Sequence, residues 1–229
     1  MTSYHEYNKV EKASPLIEKM QEGLNVALIT DAGTPGISDP GEVLAAMCYD
    51  AGIEVTSLPG PAACISALTL SGLSTRRFAF EAFLPPDKKE RKAILEELKN
   101  ETSTIILYEA PQHLVGTLQE LYQALGNRRM TLCRELTKKH ETAFRTTIEE
   151  LIAFYKDQKP LGECVLVIEG RSRKEMEQES QESWRDISIE EHMAIYENQG
   201  IARKEAMKMV AKDRGVTKRD IYQALLLQK

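Results

Sequence analysis

Short continuous apolar runs alternate with amphipathic stretches along the chain, and that order predicts an α/β fold. Val26-Ala-Leu-Ile29 is apolar without alternation, which predicts a strand over 24–30 buried on both faces. A helix beginning at Ser14-Pro15 and ending near Gly23 precedes it, and another follows from about Pro40 to Ala51. A short strand around Val55 then leads through Leu58–Ala63 into a second apolar helix, Cys64–Leu70. This βαβα order predicts a parallel sheet with right-handed crossovers. From Arg76 the pattern changes. Strands are expected at Phe78–Phe80 and Thr104–Tyr108, on either side of a charged helix, Asp87–Asn100. A helix after Pro111 should end near Gly126, followed by strands at Met130–Arg134 and Ala143–Thr146. Thr147-x-x-Glu150 reads as a capping box for a helix over 148–156, and Gly162–Glu169 holds the last strand. The expected organisation is an N-terminal α/β domain over 1–75 with a parallel sheet and a second α/β domain over 76–170 with a mixed sheet. Residues 171–187 read as a polar linker, and residues 188–229 as a small helical tail.

The first strand runs into a loop holding Gly33, Gly36, Gly41, Pro35, Pro40, Asp31 and Asp39. A βα connection usually needs two to six residues, so this one is longer than a turn requires. In open α/β sheets ligands bind beyond the carboxyl ends of such strands, and glycine lets backbone approach them closely. The glycines match neither a Walker A loop nor G-x-G-x-x-G, and the loop has no Arg or Lys. A polyphosphate therefore fits poorly, whereas a cationic or zwitterionic ligand suits the aspartates. Asp31 is a candidate contact or loop organiser, and Asp39 a candidate helix cap.

The chain has 229 residues, enough to bury a sizeable core. No apolar run is long enough to span a membrane and no signal-like core opens the chain, so a cytoplasmic protein is expected. Cys48, Cys64, Cys133 and Cys164 lie in apolar surroundings without a C-x-x-C pair, and they read as buried thiols. The four histidines show no metal-ligand spacing, so no metal site is expected. The net charge of −5 is unevenly spread. Residues 200–229 carry eight cations, from Arg203 to Lys229, against three carboxylates, following an acidic stretch over 172–199. Three short helices are expected here, capped by Ser188-x-x-Glu191 and Thr217-x-x-Asp220 and stopped at Gly200 and Gly215. A helix, a glycine turn and a helix resemble a helix-turn-helix that docks nucleic acid, and the same pattern suits a helical lid or dimer contact.

DAGTPGISDPG, LPGPAACISAL, ILYEAPQHL, CRELTKKHE and GECVLVIEG occur in this order. They resemble the successive signatures of the ribosomal RNA small subunit methyltransferase I family, in the tetrapyrrole methylase superfamily. The resemblance spans nearly the whole chain, and the basic helices are similar to that family's tail. It implies the two-domain methylase fold, S-adenosyl-L-methionine as cofactor, and 2′-O-methylation of a cytidine in the decoding region of 16S rRNA by a homodimer. The chain opens at a point that resembles the family just after its first strand, Gly-Asn-Leu loop and Glu-Asp-Thr-Arg stretch, so the first domain is expected to lack a central strand. By analogy, the backbone of Gly33, Thr34, Pro35 and Ile37 and the side chain of Asp31 would hold the methionyl part of the cofactor. Ala62 and Ala63, Tyr108 and Glu109, and Gly162 with Glu163 and Val165 would line the rest.

The polar cluster Arg134–Glu141 follows a strand and offers Glu135 or Glu141 as a base and Arg134, Lys138 or Lys139 for phosphate or alkoxide. Glu135 and Lys138 are the candidates for action at the acceptor. RNA contacts are expected from Lys88, Lys89, Arg91, Lys92, Arg128, Arg129 and the tail. Two other readings remain open at this point: a methylase acting on a tetrapyrrole or protein, and a non-catalytic nucleic-acid-binding protein.

Overall fold

A computed structural model describes residues 1–227, so Lys229 of the basic stretch lies outside the described residues. The chain divides into two compact units, Met1–Gly170 and Arg171 onward. The first contains α1 (Lys9–Gln21), α2 (Gly41–Asp50), α3 (Ala63–Ser71), β1 (Phe78–Phe83), α4 (Lys88–Lys99), β2 (Thr104–Glu109), α5 (Leu114–Leu125), β3 (Arg129–Arg134), β4 (Thr142–Thr147), α6 (Ile148–Phe154) and β5 (Cys164–Ile168). The second contains α7 (Arg173–Ser183), α8 (Ile189–Glu197), α9 (Arg203–Asp213) and α10 (Lys218–Leu227). The α/β class and the mixed sheet are as expected.

The five strands lie in the order β1-β2-β5-β3-β4. β1 and β2 are parallel, and the other three pairings are antiparallel. Alternation within the central strands sorts their side chains onto two faces. Ile105, Leu107, Leu132, Leu166 and Ile168 pack with Leu95 and Leu98 of α4, Leu114, Leu118 and Leu121 of α5, and Ile148 and Leu151 of α6. Ile106, Cys133, Val165 and Val167 face the other way, against Cys64, Ala67 and Leu68 of α3. The α3 carboxyl end is tied to this sheet by Arg145, which donates to the Leu70 carbonyl at 2.9 Å, and Thr131, which donates to that of Ser71 at 3.3 Å. All four cysteines are buried and unbridged.

Three sequence expectations are corrected. No strand forms over 24–30 or around Val55, so the parallel N-terminal sheet is not built among the described residues. Both segments lack ladder hydrogen bonds, and the apolar run is exposed, with Val26 at 37% and Ile29 at 74%. α1 starts at Lys9 rather than at Ser14-Pro15, and Pro15 lies inside it. Packing of Ala13, Leu16, Ile17 and Met20 against Leu44 and Cys48 of α2 outweighs the hydrogen bond that proline removes. Finally, the stretch expected to be a linker contains α7. That helix buries no residue. It is capped by Ser172, whose hydroxyl accepts from the Glu175 amide, and carries an Arg171–Glu179 ion pair. A uniformly polar helix gives no hydrophobic period to read in the sequence.

α8, α9 and α10 pack around Met193, Ala206, Val210, Ala211, Ile221 and Leu225, and the two expected caps at Ser188 and Thr217 are present. Among the described residues no helix is long and apolar enough to cross a membrane, and no group of His, Cys, Asp and Glu could hold a metal ion.

Candidate functional site

β2 and β3 run in the same direction on either side of β5. Their carboxyl ends meet the amino end of β5, where Tyr108 and Cys133 both pair with Val165, and Glu109 and Arg134 with Cys164. The loops after β2, after β3 and before β5 therefore leave one edge of the sheet. On the α3 face this edge carries an apolar seat. Ile37 of the glycine loop, Ala62 before α3, Tyr108 of β2 and Leu136 after β3 all pack against the same cluster. Four segments far apart in sequence are brought together here.

The glycine loop is fastened to the Leu58–Ala63 turn. Thr34 donates to the Pro61 carbonyl from its amide at 2.9 Å and from its hydroxyl at 3.1 Å. A Cβ on Gly60 would lie 2.7 Å from the Thr34 hydroxyl oxygen, and one on Gly33 3.3 Å from the Pro61 carbonyl oxygen. Within the loop, Thr30 donates to the Gly33 carbonyl at 2.8 Å. Asp39 accepts from the amides of Gly36 and Gly41, each at 2.8 Å, so it caps the first residue of α2 and folds the loop back upon it. Pro40 precedes that helix. The Asp31 carboxylate is exposed, and no described residue bonds it.

Ala62 and Ala63 begin α3, with the Ala62 carbonyl accepting from the Ser66 amide. The Tyr108 hydroxyl accepts from the Cys64 amide at 3.0 Å, and burial pushes its pKa up to about 12. A bulge at Ala82 (φ +54) shifts the β1 register. Phe80 and Phe83 thereby both reach the Tyr108 ring, at centroid distances of 4.9 and 5.6 Å. Glu109 does not join this group. One residue on in the strand, its side chain faces the opposite side of the sheet, where it accepts from the Ala110 amide at 2.8 Å and the Thr117 hydroxyl at 2.5 Å. Both of its carboxylate oxygens are engaged by the protein, which leaves its main chain at the strand end to face the loop after β2.

Glu135 and Lys138 do come together. Both Glu135 (φ +50) and Thr137 (φ +65) adopt left-handed backbone, a conformation that concentrates at functional sites. The Glu135 carboxylate accepts from the Glu163 amide at 3.0 Å and from Lys138 at 3.3 Å, and Lys138 donates to the Glu163 carboxylate at 2.9 Å. Gly162 (φ +77) makes this possible, since a Cβ there would lie 2.5 Å from Glu135 Cγ. The Glu163 amide and then Lys138 hold the Glu135 carboxyl below its ordinary pKa, while the two carboxylates raise that of Lys138. Glu135 is thus a weak base that fixes a cation in place. Glu141, the other candidate base, accepts from the Thr137 amide at 2.6 Å. Sequence reasoning missed Leu136 as part of the apolar seat and Glu163 as the second anion on Lys138. Leu136 stands in a polar run, and the ion pair spans twenty-five residues.

Of the expected RNA cations, Lys88, Lys89 and Lys92 are exposed on α4. Arg91 is taken up by Glu120 and Thr117, and Arg129 by Glu169. Arg128 donates to the carbonyls of Leu125, Glu169 and Lys99. These three arginines bond the fold itself: Arg128 supplies donors to carbonyls left at the ends of α5, β5 and α4, while Arg91 and Arg129 pair with side chains.

The class follows from this fold and edge. Residues 2–152 match the family model of Tetrapyrrole (Corrin/Porphyrin) Methylases. The crystal structures of the methyltransferase CobJ and of diphthine synthase share the fold, with TM-scores of 0.55 and 0.54 at 16% identity. They cover 71% and 72% of this chain, and this chain covers 71% and 67% of theirs. Sequence relatives are nearer. The ribosomal RNA small subunit methyltransferase I of Halalkalibacterium halodurans is 43% identical over 97% of this chain and 76% of its own length. Those of Bacillus subtilis and Escherichia coli O157:H7 are 42% and 38% identical, each over 98% of this chain and 76% and 77% of their lengths. The chain belongs to the ribosomal RNA small subunit methyltransferase I family.

Proposed function

We propose that this chain transfers a methyl group from S-adenosyl-L-methionine to the ribose 2′-hydroxyl of a cytidine in the decoding region of 16S rRNA. One observation carries this reading: the glycine loop, the α3 start, Tyr108 and the Glu135–Lys138 loop share one apolar seat, in a chain whose relatives are named for the small subunit RNA. The loop residues fit a methionyl group. No Lys or Arg lies between Thr30 and Gly41, and the exposed Asp31 carboxylate suits an α-ammonium group. The cofactor supplies an electrophilic methyl on a sulfonium sulfur.

The chain's own residues bind and orient. Asp31 and the main chain of Gly33, Thr34, Pro35 and Ile37 hold the methionyl end, and Ala62 and Ala63 leave room for it beside Tyr108. Glu109 contributes through the strand end it pins. Gly162 seats Glu135, Glu135 holds Lys138, and Lys138 presents a fixed cation to the alkoxide that develops as the ribose hydroxyl proton passes to solvent water. Alignment of acceptor and donor supplies much of the rate. Lys88, Lys89 and Lys92, with the cations of α9 and α10, meet phosphates, so binding weakens steeply with salt. The same reading makes the protein a cytoplasmic homodimer acting on the small ribosomal subunit.

The test uses the full chain with isolated small subunits and a methyl-labelled donor. Labelled 2′-O-methylcytidine is expected after nuclease digestion, with loss of at least tenfold of the rate for Lys138→Met. Label on a base, or failure of S-adenosylhomocysteine to bind in calorimetry, overturns the reading.

A further inference from the structure

The second unit has a cavity of its own, of about 400 Å³. Its walls include Trp184, Ile189, Val216 and Ile221, with Gln181 and Asp220 among its polar lining. Trp184 is the chain's single tryptophan and closes the carboxyl end of α7. His192 stacks on the indole at 3.7 Å between centroids and 11° between planes, and Tyr196 stacks on His192 in turn at 5.6 Å. The imidazole is fully buried and accepts from Arg214 Nε at Nδ1, 3.2 Å away. Arg214 also donates to the carbonyls of Ile187 and Ser188. The indole is therefore stacked on a buried imidazole, which Tyr196 and Arg214 in turn hold in place, and Trp184 also lines the cavity.

Such a slot offers a flat aromatic platform, apolar walls and few polar groups. Its volume lies at the small end of the range for small-molecule sites and accommodates a base with its sugar. Arg185 and Arg214 both line it, and Arg185 is exposed with only a loose 3.6 Å contact to Glu182. Asp220 accepts from the Thr217 amide and hydroxyl through Oδ2. A carboxylate at the wall favours a ligand edge that donates, while arginines at the same cavity favour an attached phosphate. We propose that this cavity binds one unpaired RNA nucleotide whose base carries an exocyclic amino group. The base stacks against Trp184, Asp220 accepts from the amine, and Arg185 meets the phosphate. The proposal rests on the RNA-directed reading above and adds a base-reading site to a unit otherwise expected to contact phosphates alone.

With a single tryptophan, intrinsic emission reports the slot directly. The full chain is titrated at low salt with short oligocytidylate, oligoadenylate, oligouridylate and an abasic ribose-phosphate oligomer of the same length, each end-labelled for anisotropy. Saturable quenching by the first two is expected, with affinity about tenfold above the abasic oligomer. Oligouridylate, lacking the amine, should bind more weakly than either. Ala224→Phe fills the cavity and should abolish both the quenching and the base-dependent part of the affinity, with the helical circular dichroism retained. The abasic comparison on the unaltered chain stands even if that variant misfolds. Equal affinity for all oligomers with unchanged emission overturns the base site while leaving phosphate-directed RNA binding intact. No binding of any oligomer overturns both. Quenching by an apolar peptide but by no nucleotide makes the cavity a protein-docking slot and overturns the proposal.

Discussion

Two apolar runs of similar composition meet opposite fates. Cys164-Val-Leu-Val-Ile168 becomes the central strand β5, hydrogen-bonded on both edges and buried on both faces. Val26-Ala-Leu-Ile29 forms no strand, and Ile29 is 74% exposed. Each run satisfies the same rule for a strand buried on both sides. What separates them is pairing: β5 lies between β2 and β3, whereas the first run has no ladder neighbour among the described residues. An apolar run states a capacity for burial. Hydrogen-bonded neighbours and a covering helix decide whether it is used.

Substitutions sharpen the contrast. Leu166→Ala removes a side chain with no exposed surface and should cost about 2–5 kcal/mol in denaturant unfolding. Ile29→Ala should change stability by less than about 0.5 kcal/mol. Equal costs would mean that the first run is buried in solution. Thr117→Val probes the buried side of β2, where it strips a donor from the Glu109 carboxylate, and should cost about 1–3 kcal/mol, with Thr117→Ser restoring most of it. Gly162→Ala meets both a positive φ and the Glu135 side chain, so a loss of about 1 kcal/mol is expected together with slower methyl transfer. Activity lost without displacement of Glu135, read in a crystal structure of the variant, would break the link between that glycine and the ion pair.

The smallest effect is expected in the helical unit. Burial, and then the neighbouring Arg214, lower the His192 pKa from its ordinary 6.5, opposed by Asp213 3.3 Å away. The folded state therefore keeps His192 neutral where the unfolded chain has begun to protonate. Its contribution is fully present above pH about 6.5 and declines as pH falls below it. Urea unfolding followed by helical circular dichroism should show a falling midpoint from neutral pH to about pH 5, and the slope should flatten in His192→Gln.

Legibility followed the length scale of each interaction. The capping boxes at Thr147 and Ser188 lie within three residues and were readable. The glycine loop, Tyr108 and the Glu135–Lys138 pair were readable as candidates because each sits where an apolar run stops. Which way Glu109 points was not, because the sheet's two faces are assigned only when α3 covers one and α5 the other. Nor was the commitment of Arg91, Arg128 and Arg129 to the fold, since, apart from Leu125, their partners lie 26 to 41 residues away.

By itself, the order of apolar runs, caps and glycines determined the α/β class, the five strands of the mixed sheet, the helices flanking them and the methylase family. These depend on local geometry and on periodicity, which a chain carries in its residue order. Tertiary structure alone decided that the first apolar run stays unpaired, that α3 covers the sheet, and that four distant segments share one seat. Those outcomes depend on strand pairing and burial between residues far apart, whose free energies exist only once the chain has closed on itself.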